Sequence, residues 1–216
     1  MNTKMRTTKF GMIALIIALP VALMSFDMKS ESANGPAFSL SSESSTVNWK
    51  GMKPGGEHYG IIEVVNGAIE TDGSTVTGGS FTIDMNSIIC EDLSNETYNQ
   101  KLVGHLKSAD FFHTEEYPEA YFTITKVQKQ MSAKDGFSAN HLVTGDLTIR
   151  GNKKEISFPA NIKMDENMVY AKTGEIVLDR TEWDVNYQSK KIFANLKDSY
   201  INDEMIVSLD LSFDRK

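Results

Sequence analysis

Long stretches of this sequence alternate apolar and polar residues with a period of two. Such alternation is typical of β-strands that turn one face to an apolar core and the other to solvent. It occurs in "GSFTIDM" (79–85), "HLVTGDLTIR" (141–150), "KEISFPANIKM" (154–164) and "EMIVSLDLSFD" (204–214). The sequence therefore predicts an all-β fold.

Turn-forming residues separate these stretches, at Asp72-Gly73, Asp135-Gly136, Gly151-Asn152 and 165–167. Such residues are typical of hairpin turns, and short links favour antiparallel neighbours. From Val47 onward we expect about eight strands, which can close into a barrel and so remove exposed sheet edges. A two-sheet sandwich is the competing fold, because alternation alone does not distinguish the two.

Two segments break the alternation and predict one or two short helices. Apolar residues with helical spacing lie between residues 95 and 109, where Ser94 or Asn95 can cap the helix. A second short helix is expected over residues 189–197, from the spacing of Ile192, Phe193 and Leu196.

The N-terminus is expected to lie outside the folded domain. Lys4, Arg6 and Lys9 precede an apolar run at 10–24, which is shorter than the roughly twenty residues of a membrane span. Residues 1–26 are therefore interpreted as a signal peptide, with an uncleaved anchor as the alternative. Residues 27–37 are expected to be a flexible linker, and residues 38–216 form the domain.

Charge argues against a nucleic-acid partner. The chain carries a net charge of −7, but four basic residues and one acidic residue lie within the first thirty positions. The remainder therefore has a net charge of −10, which repels a phosphate backbone.

The segment His105–Ile124, "HLKSADFFHTEEYPEAYFTI", could be an active site or a junction between a helix and a strand. His105 and His113 do not have the i, i+4 spacing of a metal pair on one helix, and no motif of a hydrolase or nucleotide-binding enzyme is present. The sequence predicts a structural junction, with no catalytic residues, metal ligands or cofactors. The single cysteine, Cys90, cannot form an intrachain disulfide and is interpreted as an inert thiol.

Four motifs resemble the YceI-like family. They are "HYG" (58–60), "HLKSADFFHTEEYPEAYFTITKV" (105–127), "LTIRGNKKEISFPA" (147–160) and "LDRTEWDVNY" (178–187). The resemblance implies an extended, lipocalin-like, eight-stranded antiparallel β-barrel. It also implies an exported bacterial protein whose barrel interior holds a polyisoprenoid or a similar amphiphile.

The alternation predicts which residues would contact such a ligand, because the side chains on one face of each strand must point into the barrel. Those candidates are Phe81, Ile83, Phe122, Ile124, Val143, Leu147, Ile149, Ile156, Phe158, Ile162, Ile176, Leu178, Val207 and Leu209. His58, Arg180 and Asn186 are candidates for a polar headgroup at the mouth. The alternatives are a barrel filled by its own side chains and, for Arg180, a surface salt bridge with Asp179 or Glu182.

The expected function is that of a periplasmic or secreted carrier for a polyisoprenoid, an isoprenoid quinone or a similar lipid. An envelope protein that uses its outer surface for interaction or stress response is one alternative. A hydrolase or isomerase acting on a lipid is another. A transient membrane contact and a homodimer are both compatible with the sequence.

We expect the mature protein to be exported without residues 1–26. Cell fractionation followed by N-terminal sequencing measures this. Recovery of the full-length chain from the membrane fraction would support the uncleaved anchor instead.

Overall fold

A computed structural model describes residues 38–216. The expected signal peptide and linker lie outside these residues. The described chain forms ten strands: β1 (Phe38–Leu40), β2 (Thr46–Lys53), β3 (Gly56–Thr71), β4 (Val76–Asp84), β5 (Glu119–Lys134), β6 (Phe137–Ile149), β7 (Asn152–Met164), β8 (Met168–Thr173), β9 (Ile176–Asp179) and β10 (Glu204–Arg215). The α-helix α1 spans Glu96–Lys107.

The strands form a closed ring of eight antiparallel positions, which confirms the predicted barrel. Neighbouring strands follow the order β2-β3-β4-β5-β6-β7-β8, and β10 closes the ring by pairing with both β8 and β2. The short β1 also pairs with β10, beyond the end of β2, and β9 pairs with β10 beyond the end of β8. Ten segments therefore fill eight positions.

The four expected turns all lie between consecutive strands. They connect β3 to β4, β5 to β6, β6 to β7 and β7 to β8. Positive φ angles at Asp135, Gly136 and Gly151 show why glycine and small polar residues are found there. The alternation is confirmed in β7, where Phe158 and Ala160 are buried while Glu155, Ser157 and Pro159 are exposed.

The helix α1 is confirmed, but the second helix is not. Asn95 caps α1 by accepting a hydrogen bond from the backbone N–H of Tyr98. Residues 189–197 instead form turns, so the prediction of a helix there was wrong. Positive φ angles at Asn195 and Lys197 do not fit a helix, and Ile192 and Phe193 are exposed rather than packed against the core. No helix within residues 38–216 is long and apolar enough to cross a membrane.

After β4, the chain runs beside β3 before it enters α1. The backbone N–H groups of Ile89 and Glu91 donate to the carbonyl oxygens of Ile61 and Tyr59, at 3.0 and 2.9 Å. The close approach occurs at Gly60, where a Cβ atom would lie 2.0 Å from the carbonyl oxygen of Ile89. A side chain at this position would therefore push segment 88–91 away from the strand.

We expect Gly60→Ala to lower the free energy of unfolding by about 1–3 kcal/mol or more, because the added methyl group overlaps a backbone oxygen. Urea denaturation measures the change. Gly51→Ala is the matched control, since a Cβ there meets nothing within 4 Å; its effect should stay within about 0.5 kcal/mol. Equal effects of the two substitutions would show that the close approach does not constrain the fold.

Candidate functional site

The barrel interior contains a cavity of about 210 Å³. It is lined by inward-facing side chains from most of the strands and by α1. It occupies the end of the barrel where β4 ends and β5 begins, since Ile83 and Ala120 line it there. A single water molecule needs only about 10–15 Å³ of such space, so the cavity is large enough for a much larger guest.

Most of the candidate ligand contacts lie in the wall of this cavity. Eleven of the fourteen apolar candidates line it: Phe81, Ile83, Phe122, Leu147, Ile149, Ile156, Phe158, Ile176, Leu178, Val207 and Leu209. Ile124, Val143 and Ile162 face inward as expected but pack into the core outside the cavity. Of the polar candidates, His58 and Arg180 belong to the wall and Asn186 does not.

An aromatic layer forms the floor of the cavity. The ring of Phe122 lies between those of Phe81 and Phe158, with centroid distances of 5.3 and 5.5 Å. Gly145 makes room for it, because a Cβ there would lie 2.5 Å from Cζ of Phe122. Beyond this layer the barrel is filled by buried side chains such as Val143 and Leu211. The predicted alternatives of a hollow and a filled barrel therefore each describe one end of the molecule.

The helix α1 and the segment that follows it form the roof of the cavity. Their residues were not among the ligand contacts predicted from the sequence. These residues are Leu102, His105, Leu106, Phe111 and Phe112. The segment connects β4 to β5, so it must cross this end of the barrel. Its position between these two strands is the sequence feature from which its place over the cavity could have been predicted. The expected junction is thus also part of the cavity wall.

His105 is the polar member of this roof. Its ring lies between those of Phe111 and Tyr187, at centroid distances of 5.6 and 4.5 Å. Its Nε2 atom is buried and has no hydrogen-bond partner among residues 38–216. His113, by contrast, pairs through Nδ1 with Glu116, at 3.2 Å, and does not line the cavity.

The cavity opens where β2 ends and β10 begins. Consecutive residues of both strands, 49–53 and 204–207, line it there, whereas a closed strand would contribute only every second residue. Polar side chains gather at this rim, namely Lys50, Lys53, His58, Asn202 and Glu204. The site is therefore an apolar chamber with a polar entrance.

Arg180 connects neighbouring backbone segments by hydrogen bonds beside this entrance. Its guanidinium donates hydrogen bonds to the carbonyl oxygens of Val185, Ile201 and Asn202, and lies 3.6 Å from the carboxylate of Asp203. The side chain is only 2% exposed. The alternative of a surface salt bridge with Asp179 or Glu182 is therefore wrong in both partner and location.

His58 belongs to a compact cluster with Asp92 and Cys90. Its Nδ1 lies 2.8 Å from Oδ2 of Asp92, and the thiol of Cys90 donates to Oδ1 of Asp92, at 3.1 Å. The backbone N–H of Tyr59 donates to Oδ1 as well, at 2.9 Å. Residues of these three types can hold a metal ion, and their donor atoms lie within 4.8 Å of one another.

The electrostatics of this cluster disfavour a nucleophilic thiolate. Burial raises the pKa of the Cys90 thiol, and its hydrogen bond to Asp92 raises that pKa further. Burial alone would raise the pKa of Asp92 too, but the donors from Tyr59, His58 and Cys90 outweigh it and lower that pKa. Reactive cysteines need the opposite shift, so the expectation that Cys90 is not a nucleophile fits its surroundings.

Comparison with known proteins identifies relatives across most of the described chain. The model of the YceI-like domain matches residues 38–213. The UPF0312 protein plu2095 of Photorhabdus laumondii is 35% identical over 91 residues, which cover 39% of this chain and 44% of the relative. Protein YceI of Escherichia coli is 31% identical over 104 residues, 48% of each protein. The matched regions thus span about half the length of these curated relatives.

Two solved structures share the fold. BcnA of Burkholderia cenocepacia superposes with a TM-score of 0.59 at 19% identity, covering 80% of this chain and 98% of BcnA. A polyisoprenoid binding domain from Saccharophagus degradans gives a TM-score of 0.61 at 16% identity, covering 84% and 99%. At these identities the similarity establishes the architecture.

We expect Arg180→Met to lower the free energy of unfolding by about 3–5 kcal/mol, because three carbonyl oxygens and Asp203 lose their buried partner. Lys191→Met is the control, since Lys191 pairs with Asp179 while 61% exposed; it should cost less than about 1 kcal/mol. Both are measured by urea denaturation. A loss at Arg180 as small as at Lys191 would contradict the structural role.

Proposed function

This chain belongs to the YceI-like domain family, and we propose that it is an exported bacterial carrier that holds a polyisoprenoid, an isoprenoid quinone or a similar amphiphilic lipid in its barrel. The observation that carries the proposal is the apolar chamber, closed by an aromatic floor and open at a polar rim. Such a chamber fits a molecule with an apolar chain and one polar end.

The wall can supply affinity without directional contacts. Burying a methylene group is worth about 0.8 kcal/mol, so a few isoprene units in the chamber would bind appreciably. Met52, Met85 and Met205 are in the wall, and their flexible side chains can adapt to ligands of different shape. The solved domain from Saccharophagus degradans, described as polyisoprenoid-binding, supports this class of ligand for a barrel of this architecture.

The aromatic floor limits how much of a long chain can enter. A ligand that reaches Phe122 fills one half of the barrel, and the rest of it must fold back or extend through the entrance. The polar end would then lie among the rim residues, where Lys53 is available to an anionic group and His58 to an uncharged one. Lys50 is also at the rim, but it already pairs with Glu175, at 2.7 Å. The proposal is one of binding without catalysis, in a protein exported to the periplasm or beyond.

The test is to extract the protein purified from its native host and identify bound lipid by mass spectrometry. We expect one long-chain isoprenoid or related amphiphile per cavity. Ala120→Phe should reduce co-purified lipid at least tenfold, because Ala120 faces the cavity and the added ring occupies space that the ligand needs. The measurement is the lipid-to-protein ratio.

Ala133→Phe is the matched control. Ala133 lies on the same strand, β5, but is exposed at the opposite end of the barrel. A folded Ala120→Phe protein that carries as much lipid as Ala133→Phe would rule out the cavity as the binding site. If the wild type carries no lipid and binds no added long-chain prenol, the outer surface becomes the functional part and the interaction alternative replaces the carrier.

A further inference from the structure

We propose that His58, Cys90 and Asp92 form a binding site for a divalent transition metal ion, with Zn²⁺ as the best match. The three side chains offer an imidazole nitrogen, a thiol sulfur and a carboxylate, and their donor atoms converge within 4.8 Å. This inference concerns a different site from the lipid chamber and does not depend on it. The two adjoin at His58, which also belongs to the cavity wall.

The geometry is close to that of a tetrahedral ion. Zinc bonds of about 2.0–2.3 Å place neighbouring ligand atoms about 3.3–3.6 Å apart. The carboxylate of Asp92 lies 2.8 Å from Nδ1 of His58 and 3.1 Å from Sγ of Cys90. All three donor atoms, including Nδ1 of His58 and Sγ of Cys90, lie within 4.8 Å of one another, so small rotations of the side chains can bring them to an ion between them.

The backbone holds these residues in place. Segment 88–91 is bonded to β3 on both sides of Gly60, and the indole N–H of Trp49 donates to the carbonyl oxygen of Ile89, at 3.0 Å. On the far side, the side-chain amide of Asn99 donates to the carbonyl oxygen of Cys90, at 2.8 Å. Cys90 and Asp92 are thus fixed over His58 by contacts that need no metal, so the ion would enter a site that is largely prepared for it.

The ligand types select the class of metal. Thiolate and imidazole favour zinc and its neighbours, whereas Mg²⁺ and Ca²⁺ prefer sites made only of oxygen. Binding releases the thiol proton to solvent and leaves the imidazole proton on Nε2, so that Sγ and Nδ1 both present lone pairs. One anionic carboxylate and one thiolate then balance the charge of the ion.

A fourth position remains for water. The side chains of His58 and Asp92 are 26% and 16% exposed, so solvent reaches one side of the cluster. Three protein ligands and one water are the pattern of zinc sites that stay open to exchange. The site therefore fits a reversibly bound ion better than a permanently enclosed structural one.

The experiment uses the purified protein without a histidine tag. We expect calorimetric titration with Zn²⁺ to show one site per chain, and Mg²⁺ and Ca²⁺ to show none. Co²⁺ should add a sulfur-to-cobalt charge-transfer band in the near ultraviolet, which reports a thiolate ligand directly. Cys90→Ser should abolish this band, and both Cys90→Ser and His58→Ala should weaken Zn²⁺ binding at least tenfold.

His113→Ala is the matched control, because His113 and Glu116 form a histidine–carboxylate pair without a thiol. It should bind Zn²⁺ as the wild type does. Thermal unfolding confirms that each variant is folded. If Cys90→Ser or His58→Ala does not fold, Asp92→Asn takes its place in the titrations. Stoichiometric binding that survives in the folded variants, a Co²⁺ complex without the thiolate band, or no binding by the wild type would each overturn the proposal.

Discussion

Pairing of β10 with strands on both of its sides is the constraint on which the rest of this structure depends. Residues 205–210 of β10 pair with β2, and residues 210–214 pair with β8. Because β10 lies at the C-terminal end of the domain and β2 near its beginning, this pairing closes the sheet across the whole chain. Closure removes both edges and forces the apolar face of every strand inward. An eight-stranded ring is just wide enough that its interior can be either packed or hollow.

The molecule combines both outcomes, and the Phe122 ring marks the boundary. On one side of it, large side chains from facing strands meet and fill the interior. On the other, the strands end against α1 and segment 109–112 rather than against more barrel residues. A helix laid across an open barrel end covers it without filling the space beneath. The chamber thus results from how the chain between β4 and β5 crosses the barrel.

Periodicity in the sequence was sufficient to predict the long strands and their inward faces, because alternation is a local property, and the turn residues between them predicted antiparallel pairing. Periodicity could not predict how far along the barrel axis each inward-facing side chain lies, and therefore which of them line the cavity. Val143 and Leu147 obey the same alternation on the same strand, yet only Leu147 lines the cavity. The hydrogen-bond partners of Arg180 could not be predicted either, because Ile201 and Asn202 reach it only through the turns that replace the expected second helix. The His58 cluster joins residues more than thirty positions apart, which no motif spacing would reveal.

The polar groups around the chamber determine what kind of recognition it can perform. Trp49 and Arg180 line it, but their N–H groups are already bonded to backbone carbonyl oxygens. These bonds stabilise the wall and leave few free donors facing the interior. An apolar wall of this kind selects by volume and shape, since adding or removing a methylene changes affinity by only about 1–3 kcal/mol. For the proposed lipid, discrimination between headgroups would fall to the rim, where charges of both signs, Lys53 and Glu204, are exposed.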